Sequence, residues 1–327
     1  MGELAIVTSD IHIHSYKAYN EGGRRLKHGI AYLDYIFRLA DVNGIKYILL
    51  PGDLFNNMII IATSVVREVT KCLKSNFDKF PNILIIAVSG NHDQNTQSLF
   101  DSPGESALEY LTVIFPNFIL LDKAPHTYFT KNNNTIVGIN YYEHSEHFRK
   151  VLEEVGKNRM PGKIHLLTHQ TIGSGLPIED TIDPTDPLFD PFDFIYNAHI
   201  HSCEQVTDRF INIGSPMHRD AGDIGKKKGF WIVDLDDPVE TISFVDITTK
   251  FPQFIYKTVG EELEEWEKDQ YIIWQPDNVT DNVTDKESTS KYRTDLSPQV
   301  IMQNYCDEVL TEKEREEKLT YGLTLLT

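Results

Sequence analysis

Tyr47-Ile48-Leu49-Leu50-Pro51-Gly52-Asp53-Leu54-Phe55 is the stretch on which the fold turns. A short aliphatic run stops abruptly at a Gly-Asp pair, so a strand delivers a carboxylate at its carboxyl end. The pattern recurs over residues 1 to about 200: the runs Leu4–Ser9, Ile83–Ser89, Ile164–Thr168 and Phe192–Tyr196 lead into Asp10 and His12, Asn91 and His92, His169, and His199 and His201. Between the first two runs in the chain, Leu26, Ile30, Leu33, Ile36, Phe37 and Ala40 recur at three- and four-residue steps and stop at Asn43-Gly44, which predicts a crossover helix. Further on, Phe210–Ile213, Gly229–Leu235 and Thr241–Val245 predict short strands without long helices between them. An α/β half followed by a β-rich half implies two packed sheets flanked by helices.

The 327 residues, 40% of them apolar, are enough for one large domain or about two, and exclude a disordered or fibrous chain. No apolar stretch nears the roughly 18–20 residues that span a bilayer. The start Met1-Gly2-Glu3-Leu4 lacks a basic signal region, and three dispersed cysteines fit a reducing compartment, so a cytoplasmic protein is expected. The net charge is −18, and residues 251–327 contribute 8 basic against 17 acidic side chains. Such a chain repels a polyanion at long range, so a nucleic-acid role would need metals or a partner.

Beyond Lys250 the texture changes. Gln253–Lys257 and Tyr271–Trp274 read as strands around an acidic helix at Glu261–Lys268, and Gln275 to Asp295 reads as a polar linker. Ser297-Pro298 then opens a helix, and Thr311 with Glu314 has capping-box form for a second. Apolar positions 301, 305 and 309 (Ile301, Tyr305, Val309) form one stripe, and Leu319, Leu323 and Leu326 another.

The strand-end residues share one chemistry. Imidazoles with carboxylate and amide oxygens, and no thiolate, suit Mn, Fe or Zn. Seven ligand candidates are too many for one ion and about right for two sharing a bridging carboxylate, a pair suited to phosphoester hydrolysis. In order, Asp10-x-His12, Gly52-Asp53, Gly90-Asn91-His92-Asp93, His169 and His199-x-His201 resemble the signature of the calcineurin-like metallophosphoesterases. Gly52-Asp53-Leu54-Phe55, Ile213-Gly214-Ser215-Pro216, Ala221-Gly222-Asp223 and Lys228-Gly229-Phe230-Trp231 are similar to the SbcD (Mre-eleven) nuclease branch, especially the recombination nuclease subunits of tailed phages.

The resemblance implies a four-layer αββα sandwich of two mixed sheets with a small C-terminal cap and a helical tail. It divides the chain into a nuclease domain at 1–250, a shortened cap at 251–275, a linker at 276–296 and a partner-binding region at 297–327. It assigns Asp10, His12 and His201 to one metal, Asn91, His169 and His199 to the other, and Asp53 to the bridge. His92 would serve the leaving oxygen or the transition state, with Asp93 orienting it. It further implies two Mn²⁺ ions, exonucleolytic cutting of duplex DNA ends and endonucleolytic cutting of single strands, an SbcC-type coiled-coil ATPase partner contacted by the tail stripes, and a homodimer. The rival functions are a phosphatase or small-molecule phosphodiesterase with the same site, and a non-catalytic adaptor. Ala198-His199-x-His201 stands where the family has Gly-His-x-His, an added methyl expected to be tolerated; His14, Asn56 and His218 have no assigned role.

Overall fold

A computed structural model describes residues 2–16, 19, 21–56, 60–94, 105–122, 126–158, 160–173 and 181–275. Its strands are β1 (Leu4–Val7), β2 (Tyr47–Pro51), β3 (Leu84–Val88), β4 (Phe118–Leu120), β5 (Thr127–Phe129), β6 (Thr135–Ile139), β7 (Ile164–His169), β8 (Phe194–Ala198), β9 (Glu204–Thr207), β10 (Phe210–Asn212), β11 (Gly229–Asp234), β12 (Ser243–Asp246), β13 (Phe254–Thr258) and β14 (Tyr271–Gln275). One six-stranded sheet has the order β12-β11-β1-β2-β3-β4, the other β5-β6-β7-β8-β10-β9, and β13 and β14 form a separate pair.

In the first sheet β1 to β4 run parallel and β11 is antiparallel to β1; in the second β6, β7, β8 and β10 run parallel with antiparallel β5 and β9 at the edges. Parallel neighbours require crossovers, supplied to the first sheet by α1 (Arg24–Val42), α2 (Thr63–Lys79) and the short α3 (Glu109–Ile114), and to the second by α4 (Ser145–Gly156). Helix α1 buries Leu33, Ile36, Phe37 and Ala40 and ends at Asn43, as its periodicity and Asn43-Gly44 predict.

Alternation along the strands sorts the core into layers. Ile6, Ile48 and Ile85 pack outward on α1 and α2. Val7, Leu49 and Ile86 face inward on Leu167, Tyr196 and Ile211 of the second sheet. Leu166, Ile195 and Phe210 pack with Phe148 and Leu152 of α4. The result is the four-layer sandwich of two mixed sheets between helices.

The acidic segment differs from expectation. Only a 3₁₀ turn forms, at Glu265–Asp269, held by a reciprocal capping box between Glu264 and Glu267 and by Lys257 on Glu267 at 2.8 Å. Three glutamates, Glu261, Glu262 and Glu264, crowd the positions before it and Glu265 opens it, and their repulsion with so little apolar surface leaves no basis for a longer helix. The chain divides into the units Met1–Trp274 and Gln275–Thr327. The linker and the tail stripes, Ile301, Tyr305, Val309, Leu319 and Leu323 included, lie outside the described residues.

Candidate dinuclear metal centre

Both sheets present their carboxyl ends at one place. Asp10 and His12 follow β1, Asp53 follows β2, Asn91 follows β3, His169 ends β7, and His199 and His201 follow β8. To turn its side chain inward, the backbone bends sharply on leaving the sheet: φ is +52° at Asp10, +49° at His12, +53° at Asp53 and +77° at His199. Seven described non-glycine residues have such values, and four are these. The left-handed region crowds Cβ against the backbone at a cost of about 1 kcal/mol or more per residue, and such strain gathers at functional sites.

Backbone hydrogen bonds keep these turns in register, from Asp10 N to Gly52 O (3.2 Å), His12 N to Asp53 O (3.0 Å) and Ile13 N to Leu54 O (2.9 Å). Close approach explains the glycines. A Cβ on Gly52 would stand 2.5 Å from His169 Nδ1, and one on Gly90 2.1 Å from Asp53 Oδ1.

The donor atoms converge in two groups. His12 Nε2 and His201 Nε2 are 3.2 Å apart, and Asp10 Oδ1 lies 3.8 and 3.5 Å from them. Asn91 Oδ1 lies 3.1 Å from His169 Nε2 and 3.0 Å from His199 Nδ1. Asp53 Oδ2 stands between the groups, 3.5 Å from His12 Nε2 and 3.4 Å from His169 Nε2. Ligand atoms about 2.1 Å from a common ion sit roughly 3.0–3.4 Å from each other, so these separations suit two ions sharing Asp53.

Unsatisfied groups support the fit. Asp10 Oδ1 is buried and makes no hydrogen bond. His169 Nδ1 donates to the Pro51 carbonyl at 2.9 Å, so Nε2 is the nitrogen turned toward Asp53 Oδ2 and Asn91 Oδ1. A cation would satisfy Asp10 Oδ1 and would take the place of the proton that His169 Nε2 otherwise holds between those oxygens. Burial would raise the carboxyls of Asp10 and Asp53, but the histidines outweigh it and hold both well below the usual range. Burial would lower His169, yet Asp53 and Asp10 push it up to about 9. Burial, reinforced by His169, holds His199 at about 4. The carboxylates are thus charged, and the pocket attracts positive charge.

His92 adjoins this set, its ring edge-on to His12 with centroids 4.9 Å apart. Its Nδ1 meets the Asn56 carbonyl at 3.1 Å, and its own N–H donates to Asp53 Oδ1 at 2.9 Å. The expectation that Asp93 orients His92 is therefore corrected: Asn56 O does so. Asp93 is buried and accepts from Phe55 N (3.0 Å), Gly90 N (3.2 Å) and Leu54 N (3.4 Å), tying the loop after β3 to the loop after β2. Burial and the charge of Asp53 push the Asp93 carboxyl up to about 8, against the pull of the Phe55 and Gly90 N–H groups. Two of its partners, Leu54 N and Phe55 N, are main-chain atoms of a distant loop, which no side-chain pattern announces.

Ala198 ends β8 in a buried position and the left-handed turn falls on His199, so the methyl is accommodated. His218 is buried, and its Nδ1 accepts the Phe254 N–H at 3.2 Å, anchoring β13. Sequence reasoning missed what Lys228 does. Fully buried, it donates to Asp223 Oδ1 (2.6 Å), Ser215 Oγ (2.7 Å) and His201 O (3.1 Å), so it fixes the backbone of a ligand residue. Asp223 in turn accepts from Arg219 N at 2.7 Å, and Arg219 Nη1 lies 3.0 Å from His201 Nε2. The Gly-Ser-Pro and Lys-Gly-Phe-Trp motifs carried the signal, since they bracket these contacts.

Among known families, the model of the calcineurin-like phosphoesterases matches residues 5–203. No curated protein matches the chain.

Proposed function

Since the chain belongs to the calcineurin-like phosphoesterases, whose chemistry is metal-dependent phosphoester hydrolysis, we propose that it is a two-metal DNA nuclease subunit of an SbcCD-type recombination and repair complex. The position of Asp53 Oδ2, within 3.5 Å of both His12 Nε2 and His169 Nε2, carries the dinuclear reading. The Gly-Asp-Leu-Phe and Gly-Ser-Pro motifs favour the nuclease over a phosphatase.

Asp10, His12 and His201 would hold one ion, Asn91, His169 and His199 the other, and Asp53 would serve both; Mn²⁺ is the proposed metal. When bound, two divalent ions polarise the phosphoryl oxygens and acidify the attacking water. The chain's own part begins with His92. Donation from Nδ1–H to Asn56 O leaves Nε2 as the atom that exchanges a proton with the leaving oxygen. Asp93 keeps the Asp53 and Asn91 loops at fixed separation, and Lys228 does the same for His201. The C-terminal region, as part of the same proposal, contacts an SbcC-type coiled-coil ATPase, and the chain works as a homodimer.

The test offers the purified chain, alone and with the ATPase, linear duplex DNA, single-stranded DNA and bis(p-nitrophenyl) phosphate, each with Mn²⁺ and with Mg²⁺. Cutting of DNA and of the small diester in Mn²⁺ is expected. Hydrolysis of the small diester without cutting of duplex or single-stranded DNA, alone or with the ATPase, refutes the nuclease assignment and leaves the phosphodiesterase.

A further inference from the structure

Beside the centre lies a cleft of about 370 Å³ that the hydrolytic residues do not use. Its walls include Arg25, Arg219, His14, Tyr16, Tyr19 and Asn56. It is continuous with the metal site, because His14, Arg25 and Arg219 also line the small pocket around Asp10 and His12. In a chain of net charge −18, two guanidinium groups share the walls of this cleft with one carboxylate, Asp220.

Both arginines are fixed from behind. Arg25 donates to the Arg219 carbonyl at 2.9 Å and lies over the Phe254 and Tyr271 rings, 5.2 and 4.9 Å from their centroids. Arg219 is set by Asp223 on its N–H, and its Nη1 lies against the His201 ring, 3.0 Å from Nε2 and 3.3 Å from Nδ1. Nε2 faces Asp10 and His12, so it is the nitrogen that would ligate. With Nε2 ligating and the proton on Nδ1, neither ring nitrogen accepts from Arg219, whose donors are then directed to another acceptor, for which a phosphate oxygen is suited.

The other wall is aromatic and half open. Tyr16 is 46% and Tyr19 43% exposed, high values for tyrosines that are each held in place. The Tyr16 ring packs on His14 with centroids 4.7 Å apart, and its hydroxyl donates to Asn56 O at 3.2 Å. Tyr19 meets Phe254 edge-on at 5.0 Å. Exposed rings already restricted in motion lose little entropy when a flat base stacks on them. Asp220 also borders the cleft, but its Oδ1 accepts the Gly222 N–H at 2.8 Å.

From this juxtaposition we infer that the cleft is a nucleotide subsite: Arg219 and Arg25 hold the phosphate next to the scissile one, and its base stacks against Tyr16. The ligand is a single-stranded deoxynucleotide segment, and the inference rests on the nuclease reading.

The experiment uses the full chain with Mn²⁺, following bis(p-nitrophenyl) phosphate hydrolysis while a short single-stranded oligonucleotide competes, with metal content measured for every variant. Base stacking contributes about 1–3 kcal/mol, so Tyr16→Ala should raise the oligonucleotide inhibition constant roughly tenfold, while Tyr16→Phe, which keeps the ring, stays within about threefold of the parent. Arg219→Met should raise it by a similar factor, and by more than it raises KM for the small diester. An inhibition constant unchanged in Tyr16→Ala and Arg219→Met overturns the subsite, as does a change matched by KM for the small diester. Gel analysis of the competing oligonucleotide reports separately on the parent function. A strand that binds through Tyr16 but is never shortened, even with the ATPase, keeps the subsite and refutes the nuclease.

Discussion

Replacing Gly90 by alanine tests the centre without touching a ligand. The added Cβ would lie 2.1 Å from Asp53 Oδ1, 2.6 Å from His169 Cε1 and 2.7 Å from Asp53 N. Non-bonded carbon does not come within 3.0 Å of such atoms, so the carboxylate must withdraw by about 1 Å, and the backbone contact blocks relief by side-chain rotation alone. That displacement is about half of a metal–oxygen bond of roughly 2.0–2.2 Å, and Asp53 serves both groups of ligands. Local overpacking costs about 1–3 kcal/mol, a loss of a few degrees in Tm for a chain this size. Misplacement of a reacting centre by about 1 Å costs on the order of 10²-fold in rate. The assay combines metal analysis after dialysis, a melting curve and bis(p-nitrophenyl) phosphate turnover in Mn²⁺. A folded, metal-depleted and nearly inactive variant is expected. Two tightly held ions with the parent rate would refute the bridging role of Asp53.

Further tests address separate parts of the reasoning. His92→Ala should keep both ions and lose about 10²–10⁴-fold in rate; parent-like cutting removes the proton-transfer role. Asp53→Asn should yield a folded chain depleted of metal, and anomalous scattering from two full ions would contradict it. His165, away from the site, is held at about 4 by burial against its ordinary 6.5, with Nδ1 on Tyr196 Oη and Nε2 on Leu235 O. The unfolded chain takes a proton there that the folded one refuses, so stability is full above pH 6.5 and falls by about 3 kcal/mol toward pH 4. Urea titrations of His165→Asn across that range should show a slope shallower by nearly one proton, and an identical slope shows that His165 is not the cause. Deleting Ser297–Thr327 should abolish co-purification with the SbcC-type ATPase while Mn²⁺-dependent hydrolysis survives; a retained complex places the contact elsewhere.

The ligand set could be read in advance because strand and side-chain chemistry coincide in the sequence. An aliphatic run that stops at Asp53 or His169 says both where the strand ends and what it presents. That there are two sheets could be read from the change in texture after residue 200, but not which strands join each: β5 to β8 precede that change and lie in the second sheet, while β11 and β12 return to the first. Less legible were features built from main-chain atoms. Nothing in His92-Asp93 says that the imidazole meets Asn56 O while the carboxylate meets Phe55 N. The left-handed turns at Asp10 and His12 are equally silent, since neither residue is glycine. The acidic segment misled for another reason: Glu261 to Lys268 has helix-forming composition, but its own charges and scant apolar surface decide the outcome.

Each ion would draw ligands from both sheets, Asp10 and His12 with His201 in one case, Asn91 with His169 and His199 in the other. His12 and His201 are 189 residues apart in sequence. An ion between them is a removable cross-link that closes a loop of that length, and in the chain-entropy picture a permanent one would be worth about 5 kcal/mol. Chelation would therefore act mechanically as well as chemically, removing one tie between two sheets that otherwise meet through their packed inner faces.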